Sequence, residues 1–195
     1  VLGALSGSFY ITYALMQIPA GYMGDRYGPR KMLFYAIFVC ALATLAFSQA
    51  STLLPAFVAR LLIGLTASFA YIGPLMLTAR WFAPKHFAMI SGIIQATGSV
   101  GAILGEDFFS YLLQSYSWRH TLFAIACIGL TLSVLAWLVI RDNPPNKTAQ
   151  QTTQNDNIRE SLVEVVKKQQ TWWIAFVGFV FWCTMAAFAE SWGNL

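Results

Sequence analysis

The sequence predicts an all-α membrane protein built from long transmembrane helices. Three observations predict this class. The 195 residues are 57% hydrophobic and only 10% charged, whereas a typical soluble domain carries about 25% charged residues. Six apolar runs are long enough to cross the bilayer as helices, which takes about 20 residues. The runs are continuous and lack the alternating polarity of membrane strands.

Each of the six runs is treated as one predicted helix, with short loops except after the fifth. Segment one is apolar from Val1 with no charged stretch before it, and it is too long for the apolar core of a signal peptide. The sequence is therefore expected to begin inside a longer protein. Segments two and five are apolar nearly all round, whereas segments one, three and four carry polar residues on one face. The segments cover residues 1–23, 32–49, 53–79, 87–113, 119–140 and 172–192.

The basic residues predict how these segments are oriented. Of the 12 Lys and Arg residues, only Arg119 lies in the loops after segments two and four, and Arg60 lies within segment three. The rest follow segments one, three and five, which places those loops in the cytoplasm and Val1 toward the outside. The net charge of +4 forms no basic stripe along one helix, so no nucleic-acid partner is expected.

The one long loop, residues 141–171, is a polar linker that begins at Arg141-Asp142-Asn143-Pro144-Pro145. Apolar residues recur within it at helical spacing, and Asn157 with Glu160 resembles a capping box. Two interpretations stay open, namely a short amphipathic helix at the membrane surface and a mobile tether with transient helicity. The apolar positions are Ile158, Leu162, Val165 and Val166.

Polar side chains mark one face of segments one, three and four. Because polar residues within a membrane face protein or water, these segments are predicted to surround an interior, with two and five outside. The alternative is that the polar faces only pack helix against helix through hydrogen bonds. The candidate path residues are Tyr10, Tyr13 and Gln17, together with Ser6, in segment one; Arg60 and Tyr71 in segment three; and Gln95, Ser99 and Glu106 in segment four.

Arg60 and Glu106 are the charges that matter most within these faces. Each lies about 10 Å below the predicted outer surface at 1.5 Å per residue. Their helices are antiparallel, so the two side chains are predicted to pair. Two GxxxG pairs, Gly3 with Gly7 and Gly101 with Gly105, predict close helix packing. The three cysteines show no paired spacing, so neither a disulfide nor a metal site is indicated.

The first cytoplasmic loop carries the most specific pattern, Gly-Tyr-Met-Gly-Asp-Arg-Tyr-Gly-Pro-Arg-Lys from residue 21. This resembles the loop signature of the major facilitator superfamily (MFS), with Pro29 as a departure from the usual basic residue. A generic cytoplasmic loop would explain its charges but not its Gly and Asp spacing. Gly24 and Gly28 permit a tight turn, and Asp25 can cap a helix or pair with an arginine. The resemblance implies a conformational-switch loop made of Gly21, Asp25, Arg26, Gly28, Arg30 and Lys31.

Three further motifs extend the resemblance over the whole chain. Arg60 followed by Gly64 looks like the family's fourth-helix motif, Arg80 to Pro84 resembles its loop between helices four and five, and Trp118-Arg119 is similar to its entry into helix six. The segments then correspond to family helices two to seven of an expected twelve. On this mapping the first bundle is 1–140, the central linker is 141–171, and residues 172–195 begin the second bundle.

The resemblance implies secondary active transport of a small solute across a membrane by alternating access, with proton-coupled symport as the expected mode. Expected partners are a small-molecule substrate, protons or another coupling ion, the lipid bilayer of a cell (inner) membrane and the remaining helices of the same transporter. No cofactor is expected. The family's antiporter motif is absent at Gly101-Ala102 and Gly105-Glu106, which favours symport or uniport. Glu106 could carry a proton and Arg60 could hold an anionic substrate, or the two could form a structural ion pair.

Two other function classes remain in view. The first is a transporter-like sensor or receptor, which would be built on the same helical scaffold. A membrane enzyme is disfavoured because His86 and His120 lie alone on opposite sides, and no GxxxxGK[ST] phosphate-binding loop is present.

Overall fold

A computed structural model describes residues 2–143, 163 and 165–192, and within these the side chains of 7–143, 163 and 165–184. All six predicted segments are helices. The chain divides into two compact units, Val1–Ala149 and Gln150–Leu195. Among the described residues, five long α-helices lie in the first unit and one lies in the second. The helices are α1 Leu2–Tyr27, α2 Pro29–Gln49, α3 Leu53–Trp81, α4 Phe87–Ser115, α5 Trp118–Val139 and α6 Gln169–Trp192.

Four of these helices, searched over the described residues, are long and apolar enough to cross a membrane. They are Pro29–Gln49, Leu53–Trp81, Pro84–Ser115, which includes the 3-10 turn Pro84–His86, and Trp118–Val139. Helices α1 and α6 are 26 and 24 residues long, and each has an end whose side chains are not described. Their crossing of the membrane stays a prediction.

The junction between α1 and α2 is shorter than the sequence predicts. Helix α1 continues through Gly24 to Tyr27, so the expected turn at Gly24 is wrong; a glycine within a helix needs no special backbone angle. Only Gly28 breaks the helix, with φ 85°, a conformation that glycine adopts without steric cost. Pro29 then opens α2, where a missing N–H costs no hydrogen bond.

The first unit is built around α2 and α3. Helix α3 packs between α1 and α2, and α2 packs between α3 and α5. A core cluster of Ala20, Met32, Ala36 and Phe69 joins α1, α2 and α3. Helix α4 makes few contacts with α3 and α5, and none of its residues is buried.

Small residues set the distances between the packed helices. A Cβ on Gly64 would collide with Thr12 of α1, and one on Gly129 would lie 3.0 Å from the Ala41 Cβ of α2. Within the described part of the chain, the glycines of the predicted GxxxG pairs behave differently, since Gly7, Gly101 and Gly105 have no atom within 4 Å of an added Cβ. Close packing therefore comes from glycines outside those pairs. Buried hydroxyls in these interfaces bond to carbonyls of their own helix, as Ser48, Thr66, Ser68, Thr78 and Ser133 do.

Of the predicted amphipathic helix in the linker, residues 163 and 165–167 are described and are helical. Ile158 and Leu162, with the rest of that segment, lie outside the described residues.

Candidate functional site

The predicted switch loop lies at one end of the first unit, where α1 ends and α2 begins. Gly24 is buried in the last turns of α1, and an added Cβ would collide with the Met76 sulfur of α3. Gly21 has open space around it. The close approach of α1 to α3 at Gly24 brings the loop beside the end of α3, where Arg80 lies.

Asp25 lies in the last turn of α1, beyond the predicted span, so it does not cap α2. Its side chain is exposed, yet the surrounding protein removes enough water to raise the pKa of Asp25, and the positive charge of Arg80 acts against this by lowering it. Arg80 Nη2 also donates to the Gly24 carbonyl at 3.4 Å. Of the two roles open to Asp25, the structure therefore favours interaction with an arginine.

The other basic residues of the loop have different surroundings. Arg26 donates through Nη1 to the Tyr22 hydroxyl at 3.0 Å, and its guanidinium lies 5.9 Å from the Tyr27 ring centre. Lys31 is exposed at the start of α2. These two side chains stay at the surface of this end of the unit.

Arg30 is held by the end of α5. Its backbone N–H donates to Asp142 Oδ1 at 2.8 Å, and its guanidinium donates to the Trp137 carbonyl through Nε at 3.0 Å and Nη2 at 2.7 Å. The guanidinium also lies 4.4 Å from the Trp137 ring centre. Sequence reasoning missed Asp142 and Trp137, because no local pattern connects them to a loop more than 100 residues earlier. The available signal was a carboxylate directly after the apolar run of α5.

The predicted path residues of α1 are only partly covered. Tyr10 is 57% exposed, whereas Tyr13 and Gln17 are half-buried. Tyr13 stacks on Phe9, with ring centres 5.9 Å apart. The side chain of Ser6 lies outside the described residues. Since α1 packs closely on α3 at Gly64, part of the predicted polar face of α3 contacts another helix.

The remaining predicted path residues lie on exposed faces of α3 and α4. Tyr71 is 43% exposed, and Gln95, Ser99 and Glu106 are exposed on α4. The Ser99 hydroxyl donates to the Gln95 carbonyl at 3.1 Å within its own helix. The structure thus packs α1 against α3 through Phe9 and Thr12 at Gly64, and it leaves the polar face of α4 exposed in this unit.

Arg60 is half-buried near the start of α3. Its guanidinium carbon lies 5.2 Å from the Phe47 ring centre, and its Nε is buried with no hydrogen-bond partner. Within residues 7–143 no ion pair joins Arg60 to the exposed Glu106, so their pairing stays a prediction. Sequence reasoning also missed Phe47, whose aromatic face attracts a cation.

Further aromatic and basic residues lie near Arg60, at the end of the unit where α2 ends and α3 and α5 begin. The Phe47 and Trp118 rings are 6.4 Å apart, and Arg119 lies 5.0 Å from the Trp118 ring centre. Arg119 Nη2 also donates to the Ala50 carbonyl at the end of α2, at 3.2 Å. Across the described residues, no group of three or more His, Cys, Asp or Glu could hold a metal ion.

Long apolar helices, small-residue interfaces and a glycine-aspartate loop define the chain as part of a polytopic α-helical membrane protein. It belongs to the Major Facilitator Superfamily, whose sequence profile matches residues 1–194. The family and fold class predicted from the sequence are thereby confirmed.

Several curated transporters are similar to this chain. The uncharacterized transporter YybO of Bacillus subtilis (strain 168) is 28% identical over 138 residues, which are 70% of this chain and 31% of that protein. The probable galactarate/D-glucarate transporter GudP of Escherichia coli (strain K12) is 24% identical over 149 residues, 73% of this chain and 33% of that protein. The hexuronate transporter of Bacillus subtilis (strain 168) is 27% identical over 148 residues, which are 73% of this chain and 34% of that protein. The chain spans about a third of the length of these relatives.

Proposed function

We propose that the protein containing this chain carries a small organic anion across a membrane by alternating access, as a proton-coupled symporter. Arg60 is the observation that carries the proposal. It places a guanidinium with a buried, unpartnered Nε on the membrane-embedded part of α3. A buried donor without a partner costs about 1–3 kcal/mol, and an incoming carboxylate would remove that cost.

The chemistry of Arg60 suits a carboxylate better than a neutral sugar. A guanidinium offers several N–H donors in one plane and binds carboxylates through paired hydrogen bonds. The Phe47 ring lies against the Arg60 guanidinium. It limits the motion of the guanidinium without occupying the N–H donors of Arg60. Two relatives are named for galactarate, D-glucarate or hexuronate, all of which are carboxylates at neutral pH. Both lines of support lead to an anionic substrate.

Glu106 is the proposed proton carrier. It is exposed on α4, the helix with the fewest contacts in its unit, and a carboxylate within a membrane is a candidate member of a proton path. A proton bound at Glu106 would compensate its charge during reorientation. Glu106→Gln should then abolish proton-driven accumulation while exchange of substrate across the membrane continues.

The cytoplasmic loop is the proposed control on reorientation. Arg80 of α3 bonds to the Gly24 carbonyl of α1, and its charge acts on the neighbouring Asp25. We propose that this interaction of Asp25 with Arg80 is made in only one of the two access states. An interaction present in one state shifts the equilibrium between states and changes the transport rate more than substrate affinity.

The test is uptake by the full-length protein in proteoliposomes. Radiolabelled D-glucuronate, galactarate and D-glucarate are compared with D-glucose, with and without an inward proton gradient. We expect saturable uptake of at least one anion that the gradient increases, and no uptake of glucose. Arg60→Gln should abolish this uptake, and Arg119→Gln is the matched arginine control.

Three results would contradict the proposal. Uptake of glucose in preference to the anions would contradict the assigned substrate class. Anion uptake at the same rate with and without the proton gradient would contradict proton-coupled symport. Substrate binding without any uptake would instead identify a transporter-like sensor.

A further inference from the structure

The start of α2 and the end of α5 cap each other. The first N–H groups of a helix have no partner within the helix, and the residue before α2 is Gly28, which has no side chain to supply one. Asp142, just beyond α5, supplies the acceptor by binding the Arg30 N–H at 2.8 Å. A carboxylate at this position also interacts favourably with the positive end of the helix dipole.

The reverse cap comes from Arg30. The last carbonyls of α5 also lack partners within the helix, and Trp137 lies in the final turn. Arg30 donates twice to the Trp137 carbonyl and stacks on the Trp137 ring. One residue of α2 therefore receives a cap at its backbone and provides one with its side chain.

Gly28 makes this approach possible. A Cβ at residue 28 would lie 2.9 Å from Asp142 Oδ1, and the backbone φ of 85° disfavours any residue with a side chain. Helix α3 adds a further contact, since Trp81 Nε1 donates to the Arg141 carbonyl at 2.9 Å. Residues 137–142 are thus held by both α2 and α3.

We propose that Gly28, Arg30, Trp137 and Asp142 form a fixed brace, and that Asp142 is a positioning residue for the cytoplasmic loop. The loop then has two parts with different roles. The Asp25 part interacts with Arg80 and is free to exchange that partner, whereas the Arg30 part stays attached to α5 throughout the cycle. The division into a moving and a fixed part rests on the proposed transport function, but the brace itself does not.

The test measures the distance between spin labels on cysteines placed at Lys31 and Asn143, both exposed positions beside the brace. It uses the full-length protein with every native cysteine, including Cys40, Cys127 and Cys183, replaced by alanine. The brace predicts one narrow distance distribution that does not change with pH or with added D-glucuronate. Asp142→Ala and Gly28→Ala should broaden it, whereas Asp142→Asn, which keeps an oxygen acceptor, should leave it narrow.

Two further variants keep the test decisive if Asp142→Ala does not fold. Arg30→Lys keeps the charge but loses the double contact with the Trp137 carbonyl, so it should also broaden the distribution. Asp107→Asn makes the same chemical change as Asp142→Asn at an exposed carboxylate on α4 and should have no effect. The proposal is overturned if substrate shifts the wild-type distance, or if Arg30→Lys leaves it narrow. The spin-label distance is measured without any transport assay, both in wild type with substrate and in the Arg30→Lys variant. Failure of the brace and failure of the transport proposal are therefore distinguishable.

Discussion

Gly64 lies where α3 crosses α1, and there is no room for a side chain at this position. A Cβ would collide with the Thr12 hydroxyl and meet the Phe9 backbone of α1. Backbone atoms move less readily than the end of a flexible side chain, so the helices themselves would have to separate. The close approach of α1 to α3 at this crossing therefore requires a glycine at position 64.

Gly64→Ala is expected to destabilise the protein by about 1–3 kcal/mol, the usual cost of overpacking a tight interface. The measurement is thermal unfolding of the full-length protein in detergent. Gly92→Ala is the matched control, because an added Cβ at Gly92 of α4 meets no atom within 4 Å. Equal stability of the two variants would show that α1 and α3 are not in close contact.

Asp25 is a second residue whose surroundings predict a measurable effect. Burial raises its pKa above the ordinary value of 3.8, with Arg80 opposing the shift. The ionised carboxylate is therefore less favourable in the folded than in the unfolded protein. The stability that comes from protonating Asp25 is complete below pH 3.8 and is lost as the pH rises through the raised pKa.

Asp25→Asn should consequently be more stable than wild type at pH 7, and the difference should shrink as the pH falls through the raised pKa. Melting temperatures of both proteins across this range give the comparison. Arg80→Gln removes the charge that opposes the rise in the Asp25 pKa. The melting temperature of this variant should therefore change with pH more than that of wild type. Lower stability of Asp25→Asn at neutral pH would show that the arginine interaction outweighs burial.

Independently, Asp25→Asn should slow transport more than it weakens substrate binding.

Among the elements, α3 and α4 carry the two membrane-embedded charges singled out by the sequence. The structure places Arg60 against Phe47 and leaves Glu106 exposed on α4. The predicted pair would need these antiparallel helices to approach each other in the whole protein. A double-mutant cycle decides whether they interact.

If the charges pair in a dry environment, Arg60→Gln and Glu106→Gln should each cost about 3–5 kcal/mol of stability. The double variant should then cost less than the sum. If Glu106 instead carries the proton, Glu106→Gln should fold normally and lose only gradient-driven accumulation. Unfolding measurements combined with exchange and accumulation assays separate these results. Normal folding and normal accumulation in both single variants would remove both roles.

The helices could be predicted because long apolar runs have one stable solution in a bilayer, where every backbone group must bond within its own segment. The helix ends were less predictable. Gly24 looked like a turn but lies within α1, and the space beside it is filled by Met76 of the distant helix α3. Sequence spacing identifies a glycine but not which neighbour approaches it.

The site was predictable to a similar extent. The glycine-aspartate spacing located the loop, and helical periodicity located the polar faces. The partner of Arg30 was not predictable, since Asp142 is 112 residues away and its contact depends on how α5 packs against α2. The same reason explains why the Phe47 contact of Arg60 was missed.

At the scale of the whole molecule, the chain supplies polar faces on α1, α3 and α4 and largely apolar surfaces on α2 and α5. Tyr71, Gln95 and Ser99 are exposed in the unit, and their place along a water-filled path stays a prediction. Leu135 of α5 and Phe38 of α2 are also exposed, but their chemistry suits lipid. In the full-length protein, we therefore expect Tyr71, Gln95 and Ser99 to face water, and Leu135 and Phe38 to face lipid.

The most direct test introduces single cysteines at these five positions in a full-length protein without its native cysteines. Each variant is treated in proteoliposomes with a charged, membrane-impermeant thiol reagent, with and without D-glucuronate. We predict that cysteines at Tyr71, Gln95 and Ser99 react and that the substrate slows their reaction, while those at Leu135 and Phe38 stay unmodified. Reaction at Leu135 or Phe38 as fast as at Gln95, or no reaction at the three path positions, would contradict the account.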